Sequence, residues 1–118
     1  MTTATDQNWI TVCPLTAIVP NTGVCARHDG HQVAVIRTAE AIYAISNRDP
    51  FSGANVLSRG LVGELDGRWY VASPLYKQRF GLASGQCLDD DAVTLPTWEV
   101  RVESGLVQLG QRLDVDAN

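Results

Sequence analysis

A chain of 118 residues holds one domain around one core, and its 45% hydrophobic and 19% charged content is that of a globular protein, not a disordered one. A net charge of −4 and an isoelectric point near 4.9 exclude a general binder of nucleic acid or of anionic membranes. No run approaches the apolar length of a membrane span, and the opening MTTATDQNW lacks the basic and apolar regions of a secretory signal, which makes the cytoplasm the expected location.

Residues 1–8 are polar with little to bury and are expected to form a flexible N-terminus ahead of one domain over 9–109. In CPLTAIVPN a single helical turn is expected after Pro14, stopped by Pro20. TGVCARHDGHQVAVIR carries an Asp-Gly pair between two strand-like runs, which is a strong hairpin signal. His28 and His31 bracket this turn and read as solvated residues, since only Asp29 is at hand as a further metal ligand. AIYAIS adds a β-branched and aromatic strand, and LVGELDGRWYVAS a second hairpin around Asp66-Gly67. Asp89 to Ala92, DDDA, reads as a solvated acidic turn because it lacks the spacing of a calcium loop. In WEVRVESGLVQL, Trp98, Val100 and Val102 alternate with charged residues up to Ser104-Gly105, which marks a half-buried strand and a third hairpin. Residues 110–118 read as a flexible tail. The whole predicts an all-β sandwich or small barrel of short antiparallel strands.

Two segments break the hairpin series. SNRDPFSGANVLSRG, from Ser46 to Gly60, is long for a structureless connection, and SPLYKQRFGLASG, from Ser73 to Gly85, follows the second hairpin. The hairpin between them allows both to lie side by side at one end of the sheet. Elsewhere no catalytic constellation forms: both histidines sit in one turn, and neither a G-x-G-x-x-G nor a Walker loop is present. Cys13, Cys25 and Cys87 fall at no metal-ligand spacing and read as small hydrophobes in a reducing compartment.

At these two loops the sequence resembles the Rieske iron–sulfur domain, from about Trp9 to Leu109. Asn47, Pro50, Gly53, Leu57, Ser58 and Gly60 match the frame of that family's first cluster loop, and Pro74, Arg79, Phe80 and Gly85 match the second. The resemblance places the four ligand positions at Asp49, Phe51, Ser73 and Tyr76. A Rieske cluster needs two thiolates and two imidazoles. Phe51 has no donor atom, the hydroxyls of Ser73 and Tyr76 ionise far above a thiol, and Asp49 is a hard oxygen ligand. The expectation is a scaffold without a [2Fe–2S] cluster and without metal, its vacated space filled by the rings of Phe51 and Tyr76.

Within that group, TGVCA, ISNRDPFSGANVLSRGL and SPLYKQRFGLASGQCL resemble the small subunits of assimilatory NAD(P)H-dependent nitrite reductases, enzymes that reduce nitrite to ammonium. This resemblance implies a large-subunit partner carrying siroheme, a [4Fe–4S] cluster and FAD, and an accessory chain with no active site of its own. Arg48, Arg59, Lys77 and Arg79 lie in or beside the two loops and make up four of the nine basic residues, so they are the candidate docking residues. Two other readings belong to different classes: a Rieske-type ferredoxin with unconventional ligation, and an independent interaction or regulatory module on a Rieske-like scaffold.

Overall fold

The computed structural model describes residues 9–113, and β-strands carry nearly all of their regular structure. In chain order they are β1 (Ile10–Pro14), β2 (Thr22–His28), β3 (His31–Arg37), β4 (Ile42–Ser46), β5 (Leu61–Leu65), β6 (Arg68–Ala72), β7 (Arg79–Gly81), β8 (Thr97–Glu103) and β9 (Leu106–Leu113). Two short 3₁₀ turns, Leu15–Ala17 and Leu57–Arg59, complete the set, the first at the place where Pro14 predicts a helical turn.

All three expected hairpins form. Their central pairs take positive φ at both residues: 54° and 78° at Asp29-Gly30, 53° and 82° at Asp66-Gly67, and 55° and 79° at Ser104-Gly105. That is the twist a tight antiparallel turn needs, and Asp, Ser and Gly supply it at low cost. One antiparallel sheet runs β1-β9-β8-β4-β3-β2, and a smaller one runs β5-β6-β7.

Strand β3 explains how the two sheets share a core. Val33, Ala34, Val35 and Ile36 are all buried, so its run of apolar residues is continuous because both of its faces are covered. Val33 and Val35 pack with Ile18, Ala44, Trp98, Val107 and Leu109 inside the larger sheet. Ala34 and Ile36 pack on the other side with Ile45, Leu57, Val71, Phe80 and Cys87, beneath the smaller sheet. The fold is thus the all-β sandwich or barrel that the sequence predicts.

Two expectations change. His28 is buried, and its Nε2–H donates to the Gly110 carbonyl oxygen at 2.8 Å, tying the β2–β3 hairpin to β9. Strand β9 runs on to Leu113, paired with Thr97 past a bulge between Trp98 and Val100, so residues 110–113 belong to the sheet. The expected flexible ends, 1–8 and the rest of the tail from 114, lie outside the described residues.

Strand β5 leaves the first long loop and β6 leads into the second, so both loops meet at one end of the small sheet. Gly60 makes this possible. A Cβ there would run into the Ala72 carbonyl oxygen and the Val71 side chain. Gly60→Ala is therefore expected to lower stability by about 1–3 kcal/mol, the usual cost of overpacking, read as a fall in the urea midpoint. Gly67→Ala meets no neighbouring atom and serves as the comparison, bearing only the strain of its positive φ.

Candidate functional site

The first loop is organised from its base by Asn47, which is 2% exposed. Its Oδ1 accepts the Ser58 N–H at 2.6 Å and its carbonyl oxygen accepts the Leu57 N–H at 3.1 Å. The Asn47 N–H donates to the Gln32 carbonyl oxygen on β3 at 2.9 Å, and its Nδ2 reaches Gln32 Oε1 and the Cys25 sulfur, both at 3.4 Å. One buried amide thus fixes where the loop leaves the sheet and where it returns, while Leu57 anchors the return in the core. Between them, Asp49 N–H donates to the Ala54 carbonyl oxygen and Gly53 N–H to the Asp49 carbonyl oxygen, folding the loop back on itself with Gly53 at φ 79°.

The second loop is a tight turn after β6. Ser73 N–H donates to the Gln78 carbonyl oxygen at 2.9 Å and Lys77 N–H to the Ser73 carbonyl oxygen at 3.0 Å. Lys77 takes φ 68°, a left-handed conformation unusual for a residue with a side chain. The adjoining turn closes at Gly85, where a Cβ would collide with the Leu95 carbonyl oxygen.

The loops meet through two side chains. The Ser73 hydroxyl donates to Asp49 Oδ2 at 2.6 Å, with both residues buried, at 1% and 0% exposure. Asp49 Oδ1 accepts the Phe51 N–H at 2.8 Å, and Ser73 Oγ accepts the Leu75 N–H at 3.2 Å. A continuous hydrogen-bonded chain therefore runs from Phe51 through Asp49 and Ser73 to Leu75. At 2.6 Å the Ser73–Asp49 bond is at the short end of the range for an O–H···O bond.

Of the four expected ligand positions, Asp49 and Ser73 are thus occupied with each other. Phe51 is 37% exposed and Tyr76 59% exposed, so the expected aromatic plug does not form. The interior beneath the loops is filled instead by Phe80, fully buried, with the Phe51 ring lying against it at a centroid distance of 6.3 Å. The difference is one of direction: the loop turns aim the two polar side chains inward, leave Tyr76 outside and cover Phe51 only in part, against Phe80. Among the described residues, no three His, Cys, Asp or Glu side chains gather where they could hold a metal ion. A hydrogen-bonded oxygen pair, a hydrocarbon ring and an exposed phenol do not fit a [2Fe–2S] cluster.

The basic candidates separate. Arg48 and Lys77 are exposed at the loops. Arg59 is exposed on the 3₁₀ turn that packs along β2, on the flank. Arg79 points elsewhere: its Nη2 and Nε hold the Asp89 carboxylate at 2.8 and 3.3 Å, and its guanidinium lies 5.7 Å from the Tyr70 ring centre. That pair holds the Asp89 carboxyl below its ordinary range, through the side-chain and then the backbone hydrogen bonds from Arg79. The acidic run at Asp89 is accordingly a tie across the β7 loop as well as a solvated turn.

Sequence reasoning misses Arg27. It is exposed at the end of β2 and lines a polar cleft with His31, Ser46, Arg48 and Asn55. The register that places β3 between β2 and β4 brings Arg27 beside Arg48, and no local sequence signal reports it.

Residues 8–110 match the model of the Rieske-like [2Fe-2S] domain family. The nitrite reductase (NADH) small subunit of Salmonella typhimurium is 48% identical over 105 residues, which cover 87% of this chain and 97% of that protein. The solution structure of the nitrite reductase [NAD(P)H] small subunit from Erwinia carotovora superposes with a TM-score of 0.74 at 47% identity, covering 94% of this chain and 86% of that one. A nitrite reductase [NAD(P)H] large subunit from Klebsiella oxytoca is 42% identical over 107 residues, 91% of this chain but 11% of that longer protein.

Ser73→Ala strands one buried carboxylate oxygen of Asp49 and is expected to cost about 1–3 kcal/mol in urea unfolding. Tyr76→Ala, at an exposed position, should stay within about 0.5 kcal/mol of the unaltered chain. In a double-mutant cycle, Ser73→Ala with Asp49→Asn should show coupling well beyond the scatter of additive pairs.

Proposed function

We infer the function of this chain from the family to which it belongs, the Rieske-like domains and, within them, the small subunits of NADH-dependent nitrite reductase. It is an accessory subunit that associates with the large subunit of such an enzyme in the reduction of nitrite to ammonium, and it carries neither a [2Fe–2S] cluster nor a catalytic group. The siroheme, [4Fe–4S] cluster and FAD that this reaction calls on belong to the large subunit. The cytoplasm, where reduced nicotinamide is available, is its location, and the free thiols of Cys13, Cys25 and Cys87 suit a reducing compartment.

The observation that carries this reading is the buried bond between Asp49 and Ser73. Two of the four cluster-ligand positions satisfy each other, so this pair performs the mechanical task of a cluster, joining two loops, without its redox chemistry. Association is supported by the Klebsiella oxytoca large subunit, which contains a segment like this chain within one longer polypeptide. A domain joined covalently to its partner in one organism and separate in another is expected to dock on that partner.

Two measurements test the reading. The chain purified after expression in an iron-replete host should be colourless, with no visible absorbance above the protein band and no stoichiometric iron. A brown protein with two irons per chain would instead establish a ferredoxin. Nitrite-dependent NADH oxidation by the holoenzyme large subunit should rise when this chain is added, and unchanged turnover together with no co-purification would overturn the subunit assignment.

A further inference from the structure

The chain from Phe51 through Asp49 and Ser73 to Leu75 has a consequence on its outer side. By turning the two polar side chains inward, it leaves the apolar ones facing water: Phe51 is 37% exposed, Leu75 50% and Tyr76 59%. Pro50 is exposed beside them. The backbone N–H groups of Phe51 and Leu75 sit at the two ends of one short hydrogen-bonded network, so this exposed apolar knob is drawn from two loops that are tied together. Removing them from water would be favourable, because apolar surface gains free energy when it is buried.

Cations flank the knob. Lys77 is held at φ 68° by its N–H bond to the Ser73 carbonyl, immediately beside Tyr76. Arg48 directly precedes Asp49 and shares its cleft with Arg27 and His31. The ion pairs found among the described residues, His28–Asp29 and Arg79–Asp89, engage none of Arg27, Arg48 and Lys77. At the same end, Asp49 is buried and turned to Ser73, while the exposed carboxylates are Asp29 of the neighbouring hairpin turn and the run Asp89–Asp91, of which Asp89 is held by Arg79. In a chain of net charge −4, Arg27, Arg48 and Lys77 concentrate positive charge beside this apolar centre. Such a surface suits a partner with an apolar patch bordered by carboxylates, and cations of this kind steer the encounter and fix orientation.

We propose that this loop end, with Phe51, Leu75 and Tyr76 at its centre and Arg27, Arg48 and Lys77 around it, is the face that docks on the large reductase subunit, at an apolar surface bordered by acidic side chains. The proposal rests on the subunit reading above and specifies where contact is made. It also revises the sequence-based docking set: Arg79 is bound to Asp89, Arg59 lies on the flank, and the apolar residues supply the centre.

The test is the affinity of the full-length chain for the purified holoenzyme large subunit, measured by biolayer interferometry at low and moderate salt. Leu75→Ser with Tyr76→Ser, and separately Arg48→Glu with Lys77→Glu, should each weaken binding by about tenfold or more, as expected for the centre and charged border of an interface. The charge-reversed pair should lose most at low salt. Arg68→Glu, at the β5–β6 turn on the far end of the small sheet, should bind as the unaltered chain does. These positions are exposed, so melting curves should be unmoved; if the Leu75/Tyr76 variant unfolds, the Arg48/Lys77 variant decides alone. Loop-end variants that bind like the unaltered chain, or an equal loss in Arg68→Glu, would overturn the docking face. If the unaltered chain itself does not bind, the subunit reading fails and the docking face with it.

Discussion

The structure at the loop end depends on one hydrogen bond, from the Ser73 hydroxyl to the Asp49 carboxylate. Two long connections converge there from separate strands, and their backbones must be held at a fixed distance without the help of a continuous sheet. A buried carboxylate is costly unless its lone pairs are used. Asp49 uses one oxygen on Ser73 across the gap and the other on the Phe51 N–H of its own loop, so the cost of burial is offset at the same place as the loops are joined. A bond of this kind contributes a few kcal/mol at most. It suffices because each loop is already closed by its own backbone bonds and by Asn47 at the base of the first. The clasp has only to register two preformed turns.

What the scaffold supplies is equally specific. Strand β3 is buried on both faces and serves two apolar clusters, which leaves little freedom in how the sheets sit on each other. Gly60 then lets the first loop pass within contact of β6, and Leu57 and Phe80 fill the volume under the loops with hydrocarbon. A site built this way is buried, with a hydrogen-bonded oxygen pair at its centre. Those properties suit a structural tie and are poorly matched to the soft donors that hold an iron–sulfur cluster.

Much of this was legible in the sequence, for local reasons. Asp29-Gly30, Asp66-Gly67 and Ser104-Gly105 marked the hairpins because the chemistry of a tight turn is contained in two residues. The frame of Asn47, Gly60, Phe80 and Gly85 was legible as well, since each of those positions has a steric or hydrogen-bonding duty that few residues can meet. Side-chain direction was not. The family resemblance set Phe51 and Tyr76 at ligand positions, and their size suggested a plug, but the turns that carry them leave them exposed and bury Ser73. Long-range partners were equally hidden: His28 reaches Gly110 and Arg27 comes beside Arg48 only once the strand order is known.

Exposed apolar groups on a small domain are a liability unless they are covered or kept apart from other copies of the chain. Val19, Leu65 and Leu113 are exposed on other parts of the fold, whereas Phe51, Leu75 and Tyr76 stand on two loops tied together by one hydrogen-bonded network. Arg48 and Lys77 are exposed beside them, outside the ion pairs found among the described residues. The same cations favour a partner of opposite charge. An inward polar pair and an outward apolar cluster are therefore two sides of one arrangement: burying Asp49 and Ser73 is what leaves the rings free for something else to cover.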